Sequence, residues 1–192
     1  YDPYSAPWTK RSAKLPYGTS GHACAALVGS SIVFGPKGGP TSSGWGSHKC
    51  FIDYDTASDI ARETTNYSYV MCDPCTVNGG DGYLYTFGGW MGRGINVVRR
   101  FTTGDATAST VTYLKCPGRS EIAGIRVGDE ICLFGGNVSG RSVEIFSISQ
   151  QKIVHFGENL LPMDLLDSAS VSSSTLFVWQ SPSPGIVFVG SR

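Results

Sequence analysis

Short apolar runs alternate along the chain with clusters of Gly, Asp, Asn and Ser. Runs of this length with a period of two, bounded by such clusters, predict β-strands joined by tight turns. Four segments share one shape: an alternating or apolar strand, a turn, then a more hydrophobic strand. They cover residues 25–35, 75–89, 125–136 and 169–179. In the second, the turn Asn78-Gly79-Gly80-Asp81-Gly82 leads into Tyr83-Leu84-Tyr85-Thr86-Phe87 and then Gly88-Gly89. In the third, Phe134 leads into Gly135-Gly136. Aligning Phe34, Phe87, Phe134 and Val178 gives spacings of 53, 47 and 44 residues. A third strand is predicted after each segment, over 49–55, 97–101, 143–147 and 186–189. A fourth follows in the first three units, over 61–64, 110–114 and 152–156.

Composition agrees with this pattern. The 192 residues include 25 Gly and 10 Pro, the punctuation of a turn-rich β protein. Hydrophobic residues make up 41% and charged residues only 16%, which argues against a disordered chain or a coiled coil. Basic and acidic residues number 15 each, so the net charge is zero. That balance offers no basic footprint for nucleic acid or an anionic membrane, and neither is expected as a partner. No apolar run reaches the roughly 18 residues of a spanning helix. The opening Tyr1-Asp2-Pro3-Tyr4 has neither an initiator Met nor the pattern of a signal peptide. The chain is therefore expected to be processed or cut from something longer.

The six cysteines permit 15 pairings into three disulfides. Cys72-Asp73-Pro74-Cys75 is a CxxC, but no second pair accompanies it, and His22, His48 and His155 are scattered, so no zinc site is expected. Cys24 and Cys132 sit within apolar strands and read as small buried hydrophobes. The sequons at Asn66 and Asn137 matter only in a secreted protein. The cysteine environment and the opening residues lean towards a cytoplasmic location; the sequons and the even cysteine count lean the other way.

Four strands per unit at a period near 50 residues resembles the kelch-repeat β-propeller family. The residues that carry the resemblance are Tyr1-Asp2-Pro3, Trp8, Gly21-His22, Phe87-Gly88-Gly89 and Phe134-Gly135-Gly136. The first unit departs from it, with Phe34-Gly35-Pro36 and a displaced Gly38-Gly39, and the fourth has no glycine pair. The resemblance implies an all-β propeller of four kelch-like blades, each a four-stranded antiparallel sheet, in one domain over 1–192. The blades fall approximately at 19–66, 67–120, 121–165 and 166–192, the last completed by residues 1–12. Closure is expected through Pro7-Trp8-Thr9-Lys10 as the missing outer strand. The rivals are a piece of a larger propeller, or a homodimer of open halves.

Function in such a fold is expected in loops projecting from a face rather than in the sheets. The resemblance implies that the loops after the second strands gather on one face. They carry Trp45, Trp90, Met91, Arg93 and Arg141, residue types enriched at interaction hot spots. Trp45, Trp90, Arg93 and Arg141 are therefore the candidate binding residues, for a protein or peptide partner that is acidic or phosphorylated. The competing reading has Trp90 capping its sheet and the arginines solvated. Kelch-type propellers also include copper radical oxidases resembling galactose oxidase, which need two histidines near the axis; the three histidines here share no spacing that places two on one metal. Paired acids such as Asp53 and Asp55 sit at a strand end and read as turn formers. No Gly-x-Ser-x-Gly elbow and no phosphate loop is present. The expectation is an interaction module without cofactor; the alternatives are a copper oxidase or a structural subunit of a larger assembly.

Overall fold

Glycine stands at the first position of the two-residue loops Gly29-Ser30 and Gly128-Asp129, with φ of 59° and 62°. A tight hairpin needs positive φ there, so each loop folds its flanking strands into an antiparallel pair. The computed structural model describes residues 10–16, 25–35, 38–41, 44–47, 51–64, 73–102, 108–138, 140–161, 175–179 and 185–189. For 38–41, 44–47, 175–179 and 185–189 only the backbone is described.

The described residues are all-β, without a helix. The first unit holds β1 (Ala25–Val28), β2 (Ser31–Phe34), the hairpin of β3 (Gly38–Thr41) and β4 (Gly44–Ser47), then β5 (Ile52–Asp55) and β6 (Ile60–Glu63). The second holds β7 (Cys75–Asn78), β8 (Tyr83–Phe87), β9 (Val97–Thr102) and β10 (Ala108–Tyr113). The third holds β11 (Ala123–Val127), β12 (Glu130–Phe134), β13 (Val143–Ser147) and β14 (Lys152–Gly157), and the last β15 (Thr175–Trp179) and β16 (Gly185–Val189). The sheets run β1-β2-β5-β6, β7-β8-β9-β10 and β11-β12-β13-β14, all antiparallel. The first strands line up β1 beside β7, β7 beside β11 and β11 beside β15.

Two corrections to the sequence reading follow. Among the described residues there are three four-stranded sheets where four were expected; the last unit contributes two described strands. Lys10 is not in a strand, and residues 7–9, 169–174 and 190–192 lie outside the described residues. Among the described residues the sheets also do not close. Between the second and third sheets the outermost strands β10 and β14 touch, as do the innermost β7 and β11.

The second correction is one of register. Thr56 N–H donates to the Ser30 carbonyl at 3.1 Å, and Ile148 N–H donates to the Asp129 carbonyl at 2.9 Å. These bonds join corresponding turns, and both turns run four residues, ending on Asp59 (φ 55°) and Gln151 (φ 52°). Phe34 therefore corresponds to Leu133, not to Phe134, and Gly35 takes the Phe134 place. A slip of one residue exchanges the two faces of a strand. Accordingly Ala26 and Val33, rather than Leu27 and Phe34, meet Leu84 and Phe101 of the second unit.

The core consists of layers between successive sheets. Tyr85, Phe87 and Val98 face Ile131, Leu133 and Phe146 across the second and third units. The Phe146 ring lies 5.3 Å from Tyr85 and 5.5 Å from Phe87, within the range of favourable aromatic pairs. Phe51 meets Phe101 edge-on at 5.3 Å. Asp55 caps its own turn, accepting from Ala57 N–H at 2.9 Å and Ser58 Oγ at 2.7 Å, as turn chemistry predicts. Cys132 is a buried free thiol, as read from its apolar strand, and burial pushes its pKa up. Cys116 is likewise free and buried; Cys24, Cys50 and Cys72 lie outside the described residues.

Candidate binding face

The loops after the second strands leave the same end of the sheets as the links from one unit to the next. The glycine pairs start both described loops. Gly88 and Gly89 have φ of 63° and 112°, and Gly135 and Gly136 have 64° and 111°. Glycine adopts positive φ at these places without the steric cost that a Cβ would bring. A Cβ on Gly88 would also collide with the Arg119 carbonyl and the Ile122 side chain.

The second-unit loop is tied on both sides. Gly88 N–H donates to the Val97 carbonyl at 3.1 Å, Ile95 N–H to Gly89 at 2.9 Å, and Met91 N–H to Arg93 at 2.9 Å. Trp90 and Gly94 form an antiparallel bridge. The link to the third unit grips the loop from outside: Gly89 N–H donates to the Arg119 carbonyl at 2.9 Å and Arg119 N–H to Ile95 at 3.2 Å. At the tip, Trp90 and Met91 are 43% and 47% exposed, and Arg93 is exposed beside them. A fixed backbone thus presents an indole, a thioether and a guanidinium to solvent.

The third-unit loop is built alike but presents less. Asn137 N–H donates to the Ser120 carbonyl at 3.1 Å, and its Oδ1 accepts from Ser120 N–H at 3.1 Å. Arg141 is half-buried, and its Nε donates to the Leu161 carbonyl at 2.7 Å. Its own carbonyl accepts from Leu160 and Leu161 at 3.0 and 3.2 Å. Of the four candidates, Trp90 and Arg93 therefore share one loop tip. Arg141 is engaged in holding the end of its unit. Trp45 lies on β4 opposite Pro40, and its side chain is outside the described residues.

Beneath these loops lies a group the sequence reading missed. Arg119 and Glu144 are both buried, with Nη2 and Oε1 2.9 Å apart. Arg119 Nη1 donates to the Gly135 carbonyl and to Ser142 Oγ. Glu144 accepts from the Lys115 N–H at 2.8 Å and the Cys116 N–H at 3.2 Å. Burial lowers the Arg119 pKa, and Glu144 opposes that shift. The one available signal was a charge at an inward-facing strand position, Glu144 in Val143-Glu144-Ile145. The second unit has Arg99 at that position, also buried. His155 is exposed on β14, and no cluster of His, Cys, Asp and Glu able to hold a metal occurs among the described residues.

No protein-family model matches the chain, and no curated protein matches it. Solved structures do: the structure of YjhT superposes with a TM-score of 0.60 at 12% identity. The match covers 81% of this chain and 55% of that one. This chain therefore spans about half the length of that structure, and the likeness is one of fold.

Proposed function

We propose that the chain is an interaction module of kelch-like propeller architecture, binding a peptide or protein through the loops that follow the second strands. The observation that carries this reading is the loop tip at Trp90, Met91 and Arg93. Exposed aromatic and thioether groups are ordinarily withdrawn from solvent, and here a hydrogen-bonded loop holds them out. Aromatic, Met and Arg side chains supply most of the energy at protein interfaces, and a preordered loop spares the ordering cost of binding. The single cation at the tip favours an acidic or phosphorylated segment that adds an apolar side chain for Trp90. The repeated sheets, their meander order and the fold likeness to YjhT support the propeller part of the reading.

The experiment is a display selection from acidic and phosphorylated peptide libraries on the 192-residue chain, repeated with Trp90→Ala/Arg93→Ala. Peptides enriched by the parent and not by the double variant support the site. Equal enrichment on both places binding elsewhere.

A further inference from the structure

Residues 10–16 run outside any strand, and all of them except Ala13 are exposed. The segment is fastened to the first sheet at one place, the turn between β5 and β6. Ser12 Oγ donates to Asp59 Oδ2 at 2.6 Å, and the Ser12 N–H donates to the same oxygen at 2.9 Å. The Ala13 backbone adds to the hold on that carboxylate. Tyr54 Oη donates to its other oxygen, Oδ1, at 2.9 Å. Among the described residues, every hydrogen bond from 10–16 to the sheets ends on Asp59. Ser12 also stands among bases: Lys10 and Arg11 precede it and Lys14 follows. Of the exposed serines described, it alone has a basic residue within three positions on both sides.

We infer that Ser12 is a phosphorylation site for a protein kinase that selects basic residues around its acceptor, and that the phosphate releases residues 10–16 from the first sheet. In the modification Ser12 Oγ attacks the γ-phosphorus of ATP. The new O–P bond forms as the bond to the ADP oxygen breaks, and the hydroxyl proton passes to a base of the kinase. An exposed, irregular segment suits such an enzyme, because only the contacts to Asp59 must be given up for the kinase to take it. The product cannot re-form the contact it left. Phosphorylation removes the donor of the 2.6 Å bond and sets a group of charge about −1.5 to −2 against the Asp59 carboxylate. A phosphate placed beside an acidic side chain disrupts by like-charge repulsion. Lys10, Arg11 and Lys14 can pair with the new phosphate, but they belong to the segment and so do not tie it to the sheet. Asp59 keeps its bond from Tyr54, and the segment becomes a free basic arm carrying one phosphate. The inference concerns the turn at Asp59 and is independent of the proposed loop site.

The test treats the folded 192-residue chain with a base-directed serine kinase and magnesium ATP. Fragmentation mass spectrometry locates the phosphate, and hydrogen exchange over residues 10–16 is compared before and after. A phosphate on Ser12 is expected, with exchange over 10–16 faster by about tenfold, the scale set by losing a hydrogen bond to a charged group. Ser12→Ala removes the hydroxyl bond without adding charge, and is expected to speed exchange less than the phosphate does. In Asp59→Asn the phosphate meets no carboxylate, so phosphorylation is expected to change exchange little relative to the same variant unmodified. No phosphate on Ser12 overturns the inference. So does a phosphate on Ser12 with exchange over 10–16 unchanged. An equal effect of the phosphate in Asp59→Asn, or an equal rise in Ser12→Ala, overturns it as well, because repulsion from Asp59 is then not the cause.

Discussion

The Arg119 guanidinium and the Glu144 carboxylate meet at 2.9 Å with neither side chain exposed. Arg119 belongs to the link between the second and third sheets and Glu144 to the third strand of the third sheet. The pair therefore welds the start of one unit to its middle. The Arg119 backbone holds the Trp90 loop at the same time, so the buried pair lies directly under the candidate site.

Removing one partner leaves the other charge buried and uncompensated, which costs about 3–5 kcal/mol. Arg119→Met and Glu144→Leu are each expected to lose stability on that scale. The double variant recovers much of it, because two apolar side chains leave no orphan charge. Chemical denaturation of all four proteins in a double-mutant cycle checks this. Additive losses would show that the two residues act separately.

The glycines predict unequal substitutions. Gly29 has φ 59°, and a methyl group added there would meet nothing within 4 Å, so Gly29→Ala carries only the left-handed strain of about 1–2 kcal/mol. Gly88→Ala adds a collision with the Arg119 carbonyl to the same strain, and is expected to cost clearly more. Thermal melts of the two variants give the comparison; equal losses would mean that the loop and link do not meet as described.

Asp59 makes a pH prediction. Its carboxylate accepts from Ser12 N–H at 2.9 Å, Ser12 Oγ at 2.6 Å and Tyr54 Oη at 2.9 Å. The Ser12 hydroxyl, then the Ser12 amide and Tyr54, hold its pKa down at about 2. A carboxylate whose folded pKa is depressed stabilises the fold when ionised. That contribution is fully present above the unfolded pKa near 4 and is lost as pH falls towards 2. Asp59→Asn, which tolerates the φ of 55°, is expected to flatten the acid limb of the stability profile. Urea midpoints from pH 6 down to 2.5 measure it, and an unchanged acid limb would remove Asp59 from the account.

The loop candidates separate by their contacts. Trp90→Ala and Arg93→Ala alter exposed side chains and are expected to change stability by no more than about 0.5 kcal/mol while abolishing peptide capture. Arg141→Ala removes a side-chain bond to Leu161 and is expected to cost about 1 kcal/mol with capture retained. Capture lost only in Arg141→Ala would move the site to the third-unit loop.

Strand positions were legible because their causes are local. The alternation in Ile125 to Phe134, the turn Asn78 to Gly82 and the glycine pairs each specify a strand or a bend within a few residues. The β3–β4 hairpin was read as loop because Gly38 to Ser47 carries no apolar alternation. The loop carrying Trp90 and Arg93 was also found from sequence, since composition alone marks it.

By itself the sequence determined that the chain is built of repeated strands, and where most of the turns between them fall. Only the tertiary structure decided the rest. Phe34 looks equivalent to Phe134 in one dimension, but backbone pairing and the face buried against the next sheet place it with Leu133. Arg119 and Glu144 stand 25 residues apart, and nothing local distinguishes a buried charge from a solvated one. Whether the sheets close depends on the angle at which filled apolar layers set neighbouring sheets, which is a property of packed volumes that no single strand encodes.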